Sequence, residues 1–154
     1  MLNRLSALFA NLSVKAETDP EHALRLATAT LMLEVAHADL NISSAELASV
    51  ADLLHKDFEL DRTETDALLQ EATSTIEESV SSYPFTRCLI DNLSVDQRTL
   101  VIERLWRIAL ADNHLDKFEE ATIRKLADLL YVPHSAFIRA KHSAQAALQA
   151  TQRT

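Results

Sequence analysis

The stretches AHADLNISSAE (residues 36–46) and ALADNHLDKFE (residues 109–119) share one pattern, A-x-A-D-x-x-[IL]-x-x-x-E, at an offset of 73 residues. Alanines ahead of the aspartate let two helices approach closely, and the isoleucine or leucine in the turn fills the gap where they meet. The match continues through Val50 with Ile123 and Leu53 with Leu126, on the apolar side of the helix that follows each turn. Each copy reads as a helical hairpin with a carboxylate-rich corner, and the chain as an internal duplication. Two copies are too few for a solenoid, so they are expected to pack around one core with pseudo-twofold symmetry.

Composition agrees with that reading. A chain of 154 residues suits one domain that buries roughly 70% of its unfolded surface. It contains no glycine, against an average usage of roughly 7%. Tight hairpins, dinucleotide folds and phosphate loops need glycine at positive φ or where the backbone meets a ligand, so the sequence argues against all three. The expected class is all-α, a single domain of seven to eight helices. The net charge of −8 lacks the basic footprint of a nucleic-acid binder. Residues 1–77 hold 5 Lys/Arg and 14 Asp/Glu, whereas residues 78–154 hold 10 and 9, an asymmetry that suggests charged partners. The lone Cys88 excludes an internal disulfide, suits a reducing, cytoplasmic setting, and reads as a small buried hydrophobe.

Punctuation divides the chain. Residues 1–18 are expected to form an N-terminal amphipathic helix and linker, with Leu5, Leu8, Phe9 and Leu12 at helical spacing. That stripe is expected to dock onto the domain; the alternative is peripheral contact of residues 1–12 with a membrane surface. The domain proper spans 19–150. Asp19, Pro20 and Glu21 open a helix apolar on nearly every side. A second helix should bury Leu47, Val50, Ala51, Leu54 and Phe58, and a third is acidic and exposed. SVSSYPF is the expected linker before a short helix. Ser94 with Gln97 makes a capping box for a second central helix, and Pro133 separates the last two.

These residues resemble the TerB-like domain associated with tellurite resistance: a long apolar helix ending in A-x-A-D, a turn with Ile42 or Leu115, an acidic helix start, and the unit in tandem. The resemblance implies a helical bacterial module with internal duplication, found alone or joined to other modules, in places alongside inner-membrane proteins. It also implies an acidic surface cluster for which ion binding has been considered. Carried onto this sequence, that cluster is Asp39, Glu46, Asp112 and Glu119, with Asp116 beside it. Two departures stand out. Leu40 and Asn113 follow the aspartates where the family often has glycine, and Ser43 stands where the second copy has Asp116.

Two chemical readings of the corner stay open. A hard divalent cation needs six or more oxygens, and an EF-hand frame closing on Glu119 or Glu46 lacks two ligands, so a site requires both corners to converge on Asp39, Glu46, Asp112, Asp116 and Glu119. Such a site implies a divalent-metal sensor or a metal-dependent hydrolase. The alternative makes Asp116 with Glu119 and Ser43 with Glu46 capping boxes, and lets Asp39 and Asp112 bind turn amides. The module is then non-enzymatic, binds no nucleic acid, and presents an acidic corner to a protein partner. Glu34 and His37 have the spacing of a di-iron helix but occur once where the chemistry needs two such pairs. His37, His55 and His114 read as surface or hairpin residues. Trp106, Phe85, Phe118, Tyr131 and Phe137 read as packing. Arg98, Arg104, Arg107, Arg124, Lys125, Arg139 and Lys141 read as a solvated basic face.

Overall fold

Helix α1, Pro20–Ala36, starts where the Asp19 side chain accepts the Glu21 amide and Pro20 supplies a preset φ. It is buried nearly all round, from Ala23 through Ala36. The hydroxyls of Thr28 and Thr30 donate to the carbonyls of Leu24 and Leu26, which lets two polar side chains share the core. The computed structural model describes residues 19–38 and 43–152. The expected helix within 1–18, together with Asp39 and Ile42 of the first turn, lies outside the described residues.

Six more helices follow: α2, Ser44–Asp57; α3, Arg62–Glu78; α4, Tyr83–Asn92; α5, Val95–Ala109; α6, Lys117–Leu129; and α7, His134–Gln152. Among the described residues there is no strand. The two halves share one packing plan. α1 lies against α2 and most extensively on α3, while α5 lies against α6 and most extensively on α7. α1 and α5 meet at the centre, with α2 crossing onto α5 and α6 onto α1. The short α4 packs chiefly on α1 through Phe85, Cys88 and Leu89.

Trp106, Ile102, Leu105 and Ile108 of α5 join Leu26, Leu31 and Met32 of α1 in the core. The Trp106 and Phe137 rings are 5.3 Å apart and tilted, a favourable aromatic arrangement. The expected stripe of α2 is corrected. Glu46, Val50, Leu53 and Leu54 face inward, and Leu47 is exposed. Phe118 and Tyr131 are exposed as well, so only Trp106, Phe85 and Phe137 of the five aromatics pack inside. The expected linker shrinks to the residues before Tyr83, because Tyr83, Pro84 and Phe85 open α4.

Without glycine, three of the described residues adopt the left-handed region: Glu59 (φ 52°), Asn113 (φ 63°) and Tyr131 (φ 54°). Glu59 and Tyr131 close α2 and α6 alike. The Leu60 amide donates to the His55 carbonyl at 3.1 Å and the Val132 amide to that of Ala127 at 2.9 Å, the six-to-one bond of a Schellman cap. Leu60 and Val132 are buried behind them. Asn113 occupies the position where the resemblance expects glycine, and asparagine tolerates that conformation better than other residues with a Cβ.

Candidate functional site

The corner between α5 and α6 is built by local hydrogen bonds. Asp112 Oδ1 accepts the His114 amide at 3.0 Å, and Asp116 Oδ1 accepts the Phe118 amide at 2.7 Å as the N-cap of α6. The expected reciprocal box with Glu119 gives way to a cap on Phe118, one residue earlier. Asp112 is exposed and Asp116 partly buried. At the start of α2 the box forms as expected: Ser43 Oγ accepts the Glu46 amide at 3.0 Å, and Glu46 Oε1 accepts the Ser43 amide at 3.2 Å.

Glu46 and Glu119 turn inward, each only 2% exposed. Each is the third residue of its helix, where free amides and the positive end of the helix dipole stabilise a carboxylate. Glu46 Oε2 has no hydrogen-bond partner among the described residues. The acids expected to form one surface therefore divide: Asp112 and Asp116 share the α5–α6 turn near the surface, whereas Glu46 and Glu119 are buried at the starts of separate helices. Among the described residues no three His, Cys, Asp or Glu side chains are grouped to hold a metal ion; Asp39 lies outside them.

Phe118, 55% exposed, stands between Asp116 and Glu120 on the first turn of α6. The Lys117 ammonium lies 5.4 Å from its ring centroid. Glu120 pairs with Arg124 at 3.7 Å along the same helix. The surface of this corner thus carries an exposed aromatic ring with the Lys117 ammonium over it, on a turn and helix start that also hold Asp112, Asp116 and Glu120.

Of the expected solvated basic face, Arg124, Lys125 and Arg139 are exposed, whereas Arg98, Arg104 and Arg107 have internal work. Arg98 donates to the carbonyls of Leu130 and Leu93 at 2.8 and 2.6 Å, tying α5 to the ends of α6 and α4. Arg104 forks onto Asp57 at 2.8 and 3.1 Å and donates to Glu103 at 2.6 Å. Burial opposes the Arg104 charge, but its bonds to Asp57 and Glu103 outweigh that and hold its pKa above the ordinary value. Arg107 also pairs with the buried Glu103. Lys141 lies over the Trp106 ring and Arg124 over that of Phe137.

Glu34, considered from sequence only as half of a di-iron pair, instead anchors the start of α4. The Ser82 hydroxyl reaches both of its carboxylate oxygens, at 2.7 and 2.6 Å, and Lys125 of α6 stands 3.6 Å away. These residues border a cavity of about 450 Å³ with Ile76, Phe85 and Leu129. No spacing signals this cluster, since its members are 48 and 91 positions apart in sequence. His37, His55 and His114 are exposed, as expected. Cys88 is fully buried, and burial, with Asp91 adding to it, pushes the thiol up to about 12. A thiol so rarely ionised is a poor nucleophile near neutrality.

Two central helices with paired hairpins and inward-facing helix-start glutamates define an all-α domain. Within the described residues no helix is long and apolar enough to cross a membrane. The family described as tellurite resistance protein TerB matches residues 25–142, most of the chain, and the chain belongs to that family. No curated protein and no solved structure matches it significantly.

Proposed function

We propose that the chain is a non-enzymatic, cytoplasmic interaction module of the TerB type, built by duplication of one hairpin unit, with its docking face at the start of α6. Phe118 carries the reading: a large exposed ring on a turn and helix start whose sequence also holds Asp112, Asp116 and Glu120. Buried aromatic anchors supply much of the energy of protein interfaces, and charges around them select the partner. The matching partner is a protein segment that offers an apolar pocket rimmed by lysine or arginine, within a stress-response or envelope assembly. Support for duplication comes from the matching helix order and cross-packing of the two halves.

The test is cross-linked co-purification from bacterial cells, comparing the intact chain with Phe118→Ala and Asp112→Lys. Both variants should lose the same partner while retaining the helical spectrum and unfolding midpoint of the parent. Recovery of that partner at the parent level by both would overturn the reading.

A second reading rests on the Glu46 Oε2 atom, buried without a hydrogen-bond partner among the described residues. In this reading Asp39, Glu46, Asp112, Asp116 and Glu119 supply oxygens to a divalent cation, and the module is a sensor. Calorimetric titration of chelator-treated protein with calcium, magnesium, manganese and zinc tests it. Absence of heat up to roughly millimolar ion, the weak end of protein calcium sites, removes it.

A further inference from the structure

The cavity of about 450 Å³ beside Glu34 lies among α1, the α3–α4 linker and α6, and its size is that of pockets that hold small molecules, about 300–1,000 Å³. Ile76, Phe85 and Leu129 give it an apolar wall, and Val80 and Tyr83, which also line it, stand exposed. One charge of each sign shares that wall. The Glu34 carboxylate is 27% exposed and the Lys125 ammonium 60%.

Neither charge is saturated. A single Ser82 proton serves both Glu34 oxygens, at 2.7 and 2.6 Å, although an ionised carboxylate offers about four acceptor sites. Lys125 carries several N–H donors, yet its one polar contact among the described residues is the 3.6 Å approach to Glu34, longer than the roughly 2.7–3.2 Å of a direct hydrogen bond. Ser81 adds a third group. Its oxygen accepts the Tyr83 amide at 3.3 Å, which leaves its proton to donate into the same cavity.

We propose that this cavity binds a free α-amino acid with an apolar side chain. The ammonium sits on Glu34, the carboxylate on Lys125 and Ser81, and the side chain against Ile76, Phe85 and Leu129. Charge decides the class. A simple cation drawn to Glu34 meets the like charge of Lys125, and a simple anion drawn to Lys125 meets Glu34. A zwitterion escapes both repulsions. Inserted between the two, it replaces one long ionic contact by two charge-assisted hydrogen bonds, the stronger kind. Lys125 yields readily, because its flexible side chain is mostly in solvent. A neutral apolar molecule covers both charges without replacing their water, which costs free energy and selects against it. Size sets the other limit: a sphere of this volume is roughly 9–10 Å across, narrower than a helix with its side chains at about 10–12 Å. The Phe118 docking face shares none of these residues, so the two proposals stand or fall separately.

The test is a titration of the full chain with L-leucine and with L-phenylalanine, followed through backbone amide signals. Those of Ile76, Tyr83, Phe85 and Leu129 should shift saturably, while those of Asn113 and Leu148 stay in place. N-acetylleucine lacks the positive charge and leucine methyl ester the negative one. Each should bind at least about tenfold more weakly, the loss expected for one charged hydrogen bond. Lys125→Met, at an exposed site, and Glu34→Gln, which keeps an acceptor for Ser82, should each weaken leucine by a similar factor. Should Glu34→Gln lower the unfolding midpoint, Lys125→Met decides alone. Absence of saturable shifts, shifts spread over the whole surface, or leucine binding undiminished in Lys125→Met overturns the proposal. Equal binding of the ester marks a cation site and equal binding of the acetyl derivative an anion site; either result overturns it as well.

Discussion

Replacing Glu103 with glutamine tests the ion network that joins α2 to α5. The Glu103 side chain is 5% exposed and accepts from Arg104 at 2.6 Å and from Arg107. A glutamine keeps one acceptor oxygen but points its amide hydrogens at the second guanidinium, donor against donor. One charge-assisted hydrogen bond, worth about 1.5–3 kcal/mol, is lost. Breaking a buried pair from one side typically costs about 3–5 kcal/mol. Arg107 is 30% exposed and can turn to water, while Arg104 keeps Asp57, so the low end applies. The expected loss is about 2–3 kcal/mol, or roughly 5–10 °C in melting midpoint at this chain length. Urea unfolding followed by circular dichroism measures it, with an unchanged m value to show that the same surface unfolds. Glu21→Gln, at the exposed Arg25 pair, is the control and should cost about 0.5 kcal/mol or less. The Glu103 effect should persist at high salt, which screens exposed pairs. A loss equal to that of the control, or one abolished by salt, would refute the assignment.

Cys88 should resist a thiol reagent for hours near pH 8 and react within minutes once the chain is unfolded; rapid native labelling would contradict its burial. Because folding raises this thiol to about 12, the neutral form is the one the fold favours. Its contribution to stability is whole below the ordinary thiol pKa and is lost as pH climbs through about 9 towards 12, which unfolding midpoints of the parent and Cys88→Ala will separate. Trp106→Ala should cost about 3–5 kcal/mol through the cavity it leaves, whereas Phe118→Ala should stay within about 0.5 kcal/mol, both read by urea unfolding. Ser94→Ala removes the cap seen at Gln97 and should lower stability by about 1 kcal/mol, with helix content in the folded state unchanged.

The sequence carries local structure well and cross-chain structure poorly, for physical reasons visible at single residues. Asp19 with Pro20, Ser43 with Glu46 and Ser94 with Gln97 act within one helical turn, so the spacing alone places their helix starts. The seven helices of the described residues and the family follow from such signals and from the repeated turn. The inward face of α2 departs from the expected stripe of Leu47, Val50, Ala51, Leu54 and Phe58, because apolar spacing carries no sign of a buried glutamate. Its helix-start amides instead let Glu46 go inside, which rotates the buried stripe to Glu46, Val50, Leu53 and Leu54 and leaves Leu47 outside. The same phase recurs in α6 as Glu119, Ile123, Leu126 and Ala127. Arg98, Arg104 and Glu34 find their partners only once distant helices meet, and nothing in their spacing announces it.

The left-handed residues bear on how the chain behaves before it folds. Each of Glu59, Asn113 and Tyr131 sits where a Cβ is unwelcome, at roughly 1–2 kcal/mol for an ordinary side chain. A polypeptide with no glycine anywhere has a narrower denatured ensemble, since each such replacement removes about 0.4–1 kcal/mol of backbone freedom from the disordered state. Strain at two caps and one turn is thus set against a smaller entropy loss spread over the whole length. Introducing glycine at Tyr131 would relieve about 1–2 kcal/mol of the first and return about 0.4–1 kcal/mol of the second, so the melting midpoint should rise slightly.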